Sequence, residues 1–140
     1  MKTISYSRLH RYKYRLERYF RIWTDLRPAN TAFSPGQWVV LDREGALHFQ
    51  MGYAWDGASG PAVDTKSWMR ASLVHDGLYQ LMRTGSLPQS YREPADRLMR
   101  QLCIEDGMPR VRAWWSYWAV RAAGGLVNRA ARDPKMLTAP

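Results

Sequence analysis

His75 and Asp76 stand side by side in Ser72-Leu73-Val74-His75-Asp76-Gly77-Leu78-Tyr79, and a second carboxylate follows in Glu93-Pro94-Ala95-Asp96. A glycine-rich turn, Trp55-Asp56-Gly57-Ala58-Ser59-Gly60-Pro61, precedes both. An imidazole with a carboxylate beside it and another able to reach it can activate water for base-catalysed hydrolysis. On a helix, His75 and Tyr79 fall one turn apart on one face, while Asp76 lies about 100° further round. That helix can aim the imidazole at a partner helix and Asp76 at a neighbouring loop. Asp96 comes after the breaker run Arg83-Thr84-Gly85-Ser86-Leu87-Pro88, which allows an antiparallel return. Asp96 then orients His75 and fixes its tautomer, as the third member of a triad does. Asp76 and the turn carbonyls are hard oxygen donors of the kind a hard cation takes.

Ordinary roles compete with these. Most histidines only titrate or pack, and a His-Asp dipeptide by itself is weak. Gly77 in a helix interior is unfavourable by about 1 kcal/mol relative to Ala. A close backbone approach accounts for it, and so does a frayed or kinked helix. Asp56 is either an extra ligand or a turn cap. The whole His-Asp-Asp cluster can also be a buried polar network that fixes helix packing.

Val74-His75-Asp76-Gly77-Leu78-Tyr79 resembles the His-Asp-x-x-Tyr helix of phospholipase A2 enzymes, and Ala95-Asp96-Arg97-Leu98-Met99 resembles their second active-site helix. The similarity is closer to the disulfide-free parvoviral capsid type than to the secreted type. The stretch from about Tyr53 to Glu105 also resembles the domain-of-unknown-function 1353 family of phages and prophages. Its marks are a Trp/Thr-Asp-Gly-Ala-Ser turn, a His-Asp-x-x-Tyr helix and an Ala-Asp pair. The phospholipase resemblance implies that His75 deprotonates an attacking water, Asp96 orients it and Tyr79 bonds Asp96. It further implies calcium held by Asp76 with the Trp55–Gly60 loop, through Trp55, Asp56, Gly57, Ser59 and Gly60. The loop departs from that family, whose calcium loop is richer in glycine where this one has Asp56, Ser59 and Pro61.

The chain of 140 residues fits one domain, 1–140, and its seven Trp, eight Tyr and three Phe argue against disorder. The single cysteine, Cys103, excludes a disulfide framework or a cysteine-rich zinc site and reads as a small core residue. Met1 to Ser7 has no signal-peptide core and no run is long enough to span a membrane, so the expectation is cytoplasmic synthesis in a host, with virion association open to a phage product. The net charge of +9 suits an anionic membrane surface, an acidic partner such as a phage structural protein, or nucleic acid. Zinc-finger, P-loop and helix-turn-helix patterns are missing, which argues against nucleic acid.

The expected fold is α+β: a small N-terminal antiparallel β-sheet followed by three α-helices, with 1–60 β-rich, 61–133 helical and 134–140 a frayed tail. Tyr12, Tyr14, Leu16, Phe20 and Ile22 alternate with charges at period two, broken at Arg18 and Tyr19, although Tyr12, Leu16, Tyr19 and Trp23 also fit a helix. Pro28 to Gly36 reads as loop. Gln37–Leu41 and Ala46–Met51 read as strands joined by the turn Asp42–Gly45. The helices are expected from Asp64 or Thr65, as N-cap, to Arg83; from near Pro94 to near Gly107; and from Arg110 to about Asp133. In the last, Trp114, Trp115, Trp118 and Ala122 form a stripe, flanked by Arg110, Arg112, Arg121 and Arg129. It is expected to pack as core, with a membrane-interface role as the other reading. His48 suits a sheet face, and His10 has no partner signature.

Overall fold

A computed structural model describes residues 3–8, 14–57 and 65–130, with 124–130 as backbone alone. Among the described residues the fold is α+β: two small antiparallel sheets, then three helices. Strands β1 (Tyr6–Arg8), β2 (Tyr14–Leu16) and β7 (Ala54–Trp55) make one sheet, ordered β1-β2-β7. Strands β3 (Phe20–Trp23), β4 (Ala32–Phe33), β5 (Val39–Leu41) and β6 (Ala46–Phe49) make the other, ordered β3-β6-β5-β4.

Period two decides the first of these readings. Tyr14 and Leu16 are buried around exposed Arg15, and Phe20 and Ile22 are buried around exposed Arg21. A bend at Glu17 and Arg18 passes the chain from one sheet to the other, so the helical alternative does not hold. Tyr12 and His10 lie outside the described residues. The expected hairpin is present, with Phe49 opposite Val39 and Leu47 opposite Leu41. Gly45 has φ 93°, and a Cβ there would stand 2.5 Å from the Thr24 carbonyl oxygen. The strands are shorter than expected: Gln37 belongs to a 3-10 turn, Pro35–Gln37, and Gln50 and Met51 lie beyond β6. The expected loop also contains β4, where the Phe33 N–H donates to Ser86 Oγ at 2.8 Å.

Helix α1 (Lys66–Arg83) is the centre of the molecule and is buried on nearly every side. It runs unbroken through Gly77, where a Cβ would meet the Phe49 ring at 2.5 Å. Close approach to the sheet, not fraying, explains that glycine. Thr65 occupies the N-cap position, but its hydroxyl pairs with Ser67 Oγ at 2.9 Å instead of capping the backbone; Asp64 lies outside the described residues. Helix α2 (Arg92–Glu105) starts two residues before Pro94, after a 3-10 turn over Gln89–Tyr91. It runs antiparallel to α1: Arg70 near the start of α1 bonds Asp106 and Glu105 past and at the end of α2, while His75 meets Asp96 near its beginning.

Helix α3 (Arg110–Ala130) corrects one expectation. Ala113 is fully buried and Val120, seven residues on, packs against the core, so these form the seam towards α2. Trp114, Trp115, Trp118 and Ala122 lie on the other side and face solvent. Side-chain periodicity made a correct helix but could not say which of its two apolar faces would be covered. Among the described residues, no helix is long and apolar enough to cross a membrane. One buried hydrophobic cluster joins both sheets to the helices, from Tyr14 through Phe49, Leu73 and Met99 to Ala113.

Candidate active site

Asp96 is 0 % exposed, and every element around it supplies a donor. His75 Nε2 stands 2.6 Å from Asp96 Oδ1, and the Tyr79 hydroxyl donates to the same oxygen at 2.6 Å. Arg121, from α3, donates to Oδ2 at 3.0 Å. The two α1 donors arise from helix geometry: residues four apart stack on one face, and the His75 and Tyr79 rings lie 4.1 Å apart, centroid to centroid. The antiparallel return of α2 then sets Asp96 under both. A buried carboxylate needs partners on both oxygens to be tolerable, and here it has them.

This arrangement assigns the imidazole protons. Nε2 faces a carboxylate and carries hydrogen, so in the neutral ring Nδ1 holds the lone pair. Nδ1 points towards Asp76, whose Oδ1 is 4.0 Å away. Burial, with His75 only 8 % exposed, pushes its pKa down; the Asp76 and Asp96 carboxylates outweigh this, and the net effect is a pKa above the ordinary histidine value. Burial and the bond to Asp96 hold the Tyr79 hydroxyl far above its ordinary range, so Tyr79 is a fixed donor.

The structure brings His75, Tyr79 and Asp96 together by hydrogen bonds. Arg121 was missed as a member of the cluster. One signal could have found it: it is the single charged residue between Ala113 and Asn128, in an otherwise apolar and small-residue run.

The glycine turn is reached only in part. Ser59 and Gly60 lie outside the described residues. The Trp55 side chain is buried and donates from Nε1 to Ser72 Oγ at 3.0 Å, so it is a core residue on the loop's first strand. Gly57 has φ 74° and is buried, while Asp56 is exposed. Burial, with smaller contributions from the Asp76 and Asp56 charges, pushes the pKa of Tyr53 well above its usual value, against Arg83, which lowers it. Among the described residues, no three His, Cys, Asp or Glu side chains converge as a metal-binding group.

Two other candidates resolve plainly. His48 sits on β6 between the Tyr19 hydroxyl, 2.5 Å from Nδ1, and Asp42, 3.3 Å from Nε2, a sheet-face role. Cys103 is fully buried, and burial pushes its thiol up to about 12, so it is no thiolate nucleophile at neutral pH. A cleft of about 360 Å³ lined by Arg27, Tyr91, Leu98 and Gln101 includes none of the predicted residues.

Residues 37–120 match the family model described as "Protein of unknown function (DUF1353)", which is more than half of the chain, and the chain belongs to that family. The match runs from the turn before β5 into α3, and so includes His75, Asp76, Tyr79 and Asp96 but ends one residue before Arg121. No curated protein and no solved structure matches the chain.

Proposed function

We propose that the chain is a phage-type hydrolase resembling calcium-dependent phospholipase A2, in which His75 activates water against a lipid ester. The observation that carries this reading is the clamp on one edge of His75. Asp96, with Tyr79 and Arg121 behind it, takes Nε2–H and leaves Nδ1 on the other edge for the water. Nδ1 accepts the water's proton as the oxygen attacks the ester carbonyl, and Asp96 stabilises the imidazolium that forms. The proton then passes from Nδ1 to the departing alkoxide. Asp76, with Asp56 and the carbonyls of the Trp55–Gly60 loop, is the oxygen donor set that would hold calcium; a bound calcium supplies Lewis acidity at the ester carbonyl.

The test is ester hydrolysis on anionic phospholipid vesicles, with calcium and with a chelator, beside a cell-wall substrate. Wild type is expected to hydrolyse lipid. His75→Gln should lose about 10²–10⁴ in rate while folding cooperatively. Asp96→Asn should slow the reaction as well. Wild-type inactivity on every substrate removes the reading.

A second reading has its own support. The Asp96 cluster is fully paired, with both carboxylate oxygens accepting from side chains of the two neighbouring helices. In that case the protein is a non-enzymatic phage structural or partner-binding component, and the cluster locks three helices together. His75→Gln then leaves no activity to lose and destabilises by roughly 1–3 kcal/mol through its stranded partners.

A further inference from the structure

Helix α3 carries Arg110, Arg112, Arg121 and Arg129 and no acidic residue anywhere between Arg110 and Ala130. Two of those arginines fall in its first turn, where the helix macrodipole disfavours cations. At about 100° per residue, Val111, Trp114, Trp115, Trp118 and Ala122 gather within one arc opposite the Ala113–Val120 seam. Val111 is 78 % exposed, Trp114 54 %, Trp115 63 % and Trp118 54 %. No charged side chain interrupts the stripe. A contiguous apolar face of this kind marks an interaction surface, not ordinary solvent-facing helix.

Charge selects the occupant. A second copy would set one α3 without acidic residues against another, in a chain of net charge +9. An anionic bilayer offers phosphates to exposed Arg110 and to the strongly basic chain as a whole, and an apolar boundary to the indoles, and tryptophan is favoured at that depth. We propose that the Val111–Ala122 stripe of α3 is a docking face for an anionic lipid surface, with the helix lying in the plane of the headgroups. Arg121 stands three residues after Trp118 and binds Asp96, so the docked helix is the one that touches the candidate active site. As a route for delivering ester substrate, the proposal rests on the hydrolase reading; the docking itself does not.

The experiment uses the full chain with vesicles of phosphatidylglycerol or of phosphatidylcholine, read by co-sedimentation and tryptophan emission. Wild type should bind phosphatidylglycerol with a blue-shifted emission that chain-brominated lipid quenches, and bind phosphatidylcholine far more weakly. Val111→Glu, and separately the triple change Trp114→Ser, Trp115→Ser and Trp118→Ser, should lower vesicle affinity by about tenfold or more at unchanged circular dichroism. Because the quenching measurement needs no variant, the proposal stands or falls even if the triple variant does not fold. No binding by wild type, equal binding to both lipids, or binding untouched by Val111→Glu would overturn it. So would a wild-type dimer that Val111→Glu converts to monomer, which would assign the stripe to a second copy. His75→Gln should bind vesicles like wild type. Docking without hydrolysis removes the enzyme and keeps the surface, whereas hydrolysis of a dispersed short-chain ester without docking does the reverse.

Discussion

Asp96 concentrates the electrostatics of this protein in one side chain. It is fully buried and accepts from His75, Tyr79 and Arg121. Removing Arg121 strands one carboxylate oxygen. Arg121→Met is expected to destabilise by roughly 1–3 kcal/mol, less than a wholly buried pair would give, because the guanidinium is partly exposed and screened. Urea titration of wild type and variant checks this, and an unchanged midpoint would mean Asp96 is held without α3. Asp76 acts on the other edge of His75 and raises its pKa. Asp76→Asn should therefore lower the His75 pKa in calcium-free buffer, read from the imidazole carbon-bound proton shifts by NMR. A titration that does not move would place the Asp76 charge too far away to act. The residue types and their spacing made three members of this cluster legible. Arg121 was not, because its partner is 25 positions away and only the packing of α3 on α2 brings them together.

At the level of elements, the sheet meets α1 through a gap that only glycine fits. Gly77 lies over Phe49, with Val39 beside it, and a Cβ would sit 2.5 Å from the ring. Helix propensity alone favours Gly77→Ala by about 1 kcal/mol. Overpacking opposes it by about 1–3 kcal/mol, and Phe49 is fully buried with nowhere to swing. We expect Gly77→Ala to lower thermal stability, with Phe49→Leu in the same chain restoring part of the loss; a stabilised Gly77→Ala would mean that α1 sits further from the sheet. The three helices, the β5–β6 hairpin and its turn were legible because each repeats a local rule: period two, a glycine at positive φ, breakers between helices. The outward face of α3 was not. Ala113 and Val120 look like filler beside three tryptophans, yet small side chains are what let two helices approach, and the bulky ones were left outside.

Over the whole molecule, pH acts through groups that folding has moved in opposite directions. His75, Tyr79, Tyr53 and Cys103 all have folded pKa values above their ordinary ones. Such groups hold their protons more tightly when folded, so each stabilises fully below its unfolded pKa and loses that contribution as pH rises through the folded value. His75 is the first to act, starting near its ordinary value of 6.5. Cys103 follows between 9.0 and about 12. Asp42 works at the other end. Burial raises its pKa, but its bonds to the Ala46 and Glu44 backbone and to His48 outweigh that and bring the net value below the ordinary 3.8. Its contribution is present above 3.8 and disappears as pH falls through the folded value. Added positive charge on a chain already at +9 deepens the acid loss. The thermal midpoint is therefore expected to be highest in mildly acidic buffer, between the carboxylate range and 6.5, and to fall through neutral pH. That neutral step belongs to His75, so His75→Gln should flatten the profile between about 6 and 9 while leaving the alkaline fall, owed to Cys103 and the tyrosines, in place. Differential scanning calorimetry at closely spaced pH values separates the two. A wild-type midpoint that rises from pH 6 to 8 would mean His75 is held neutral in the folded protein, which reverses its sign here and strengthens its standing as a base.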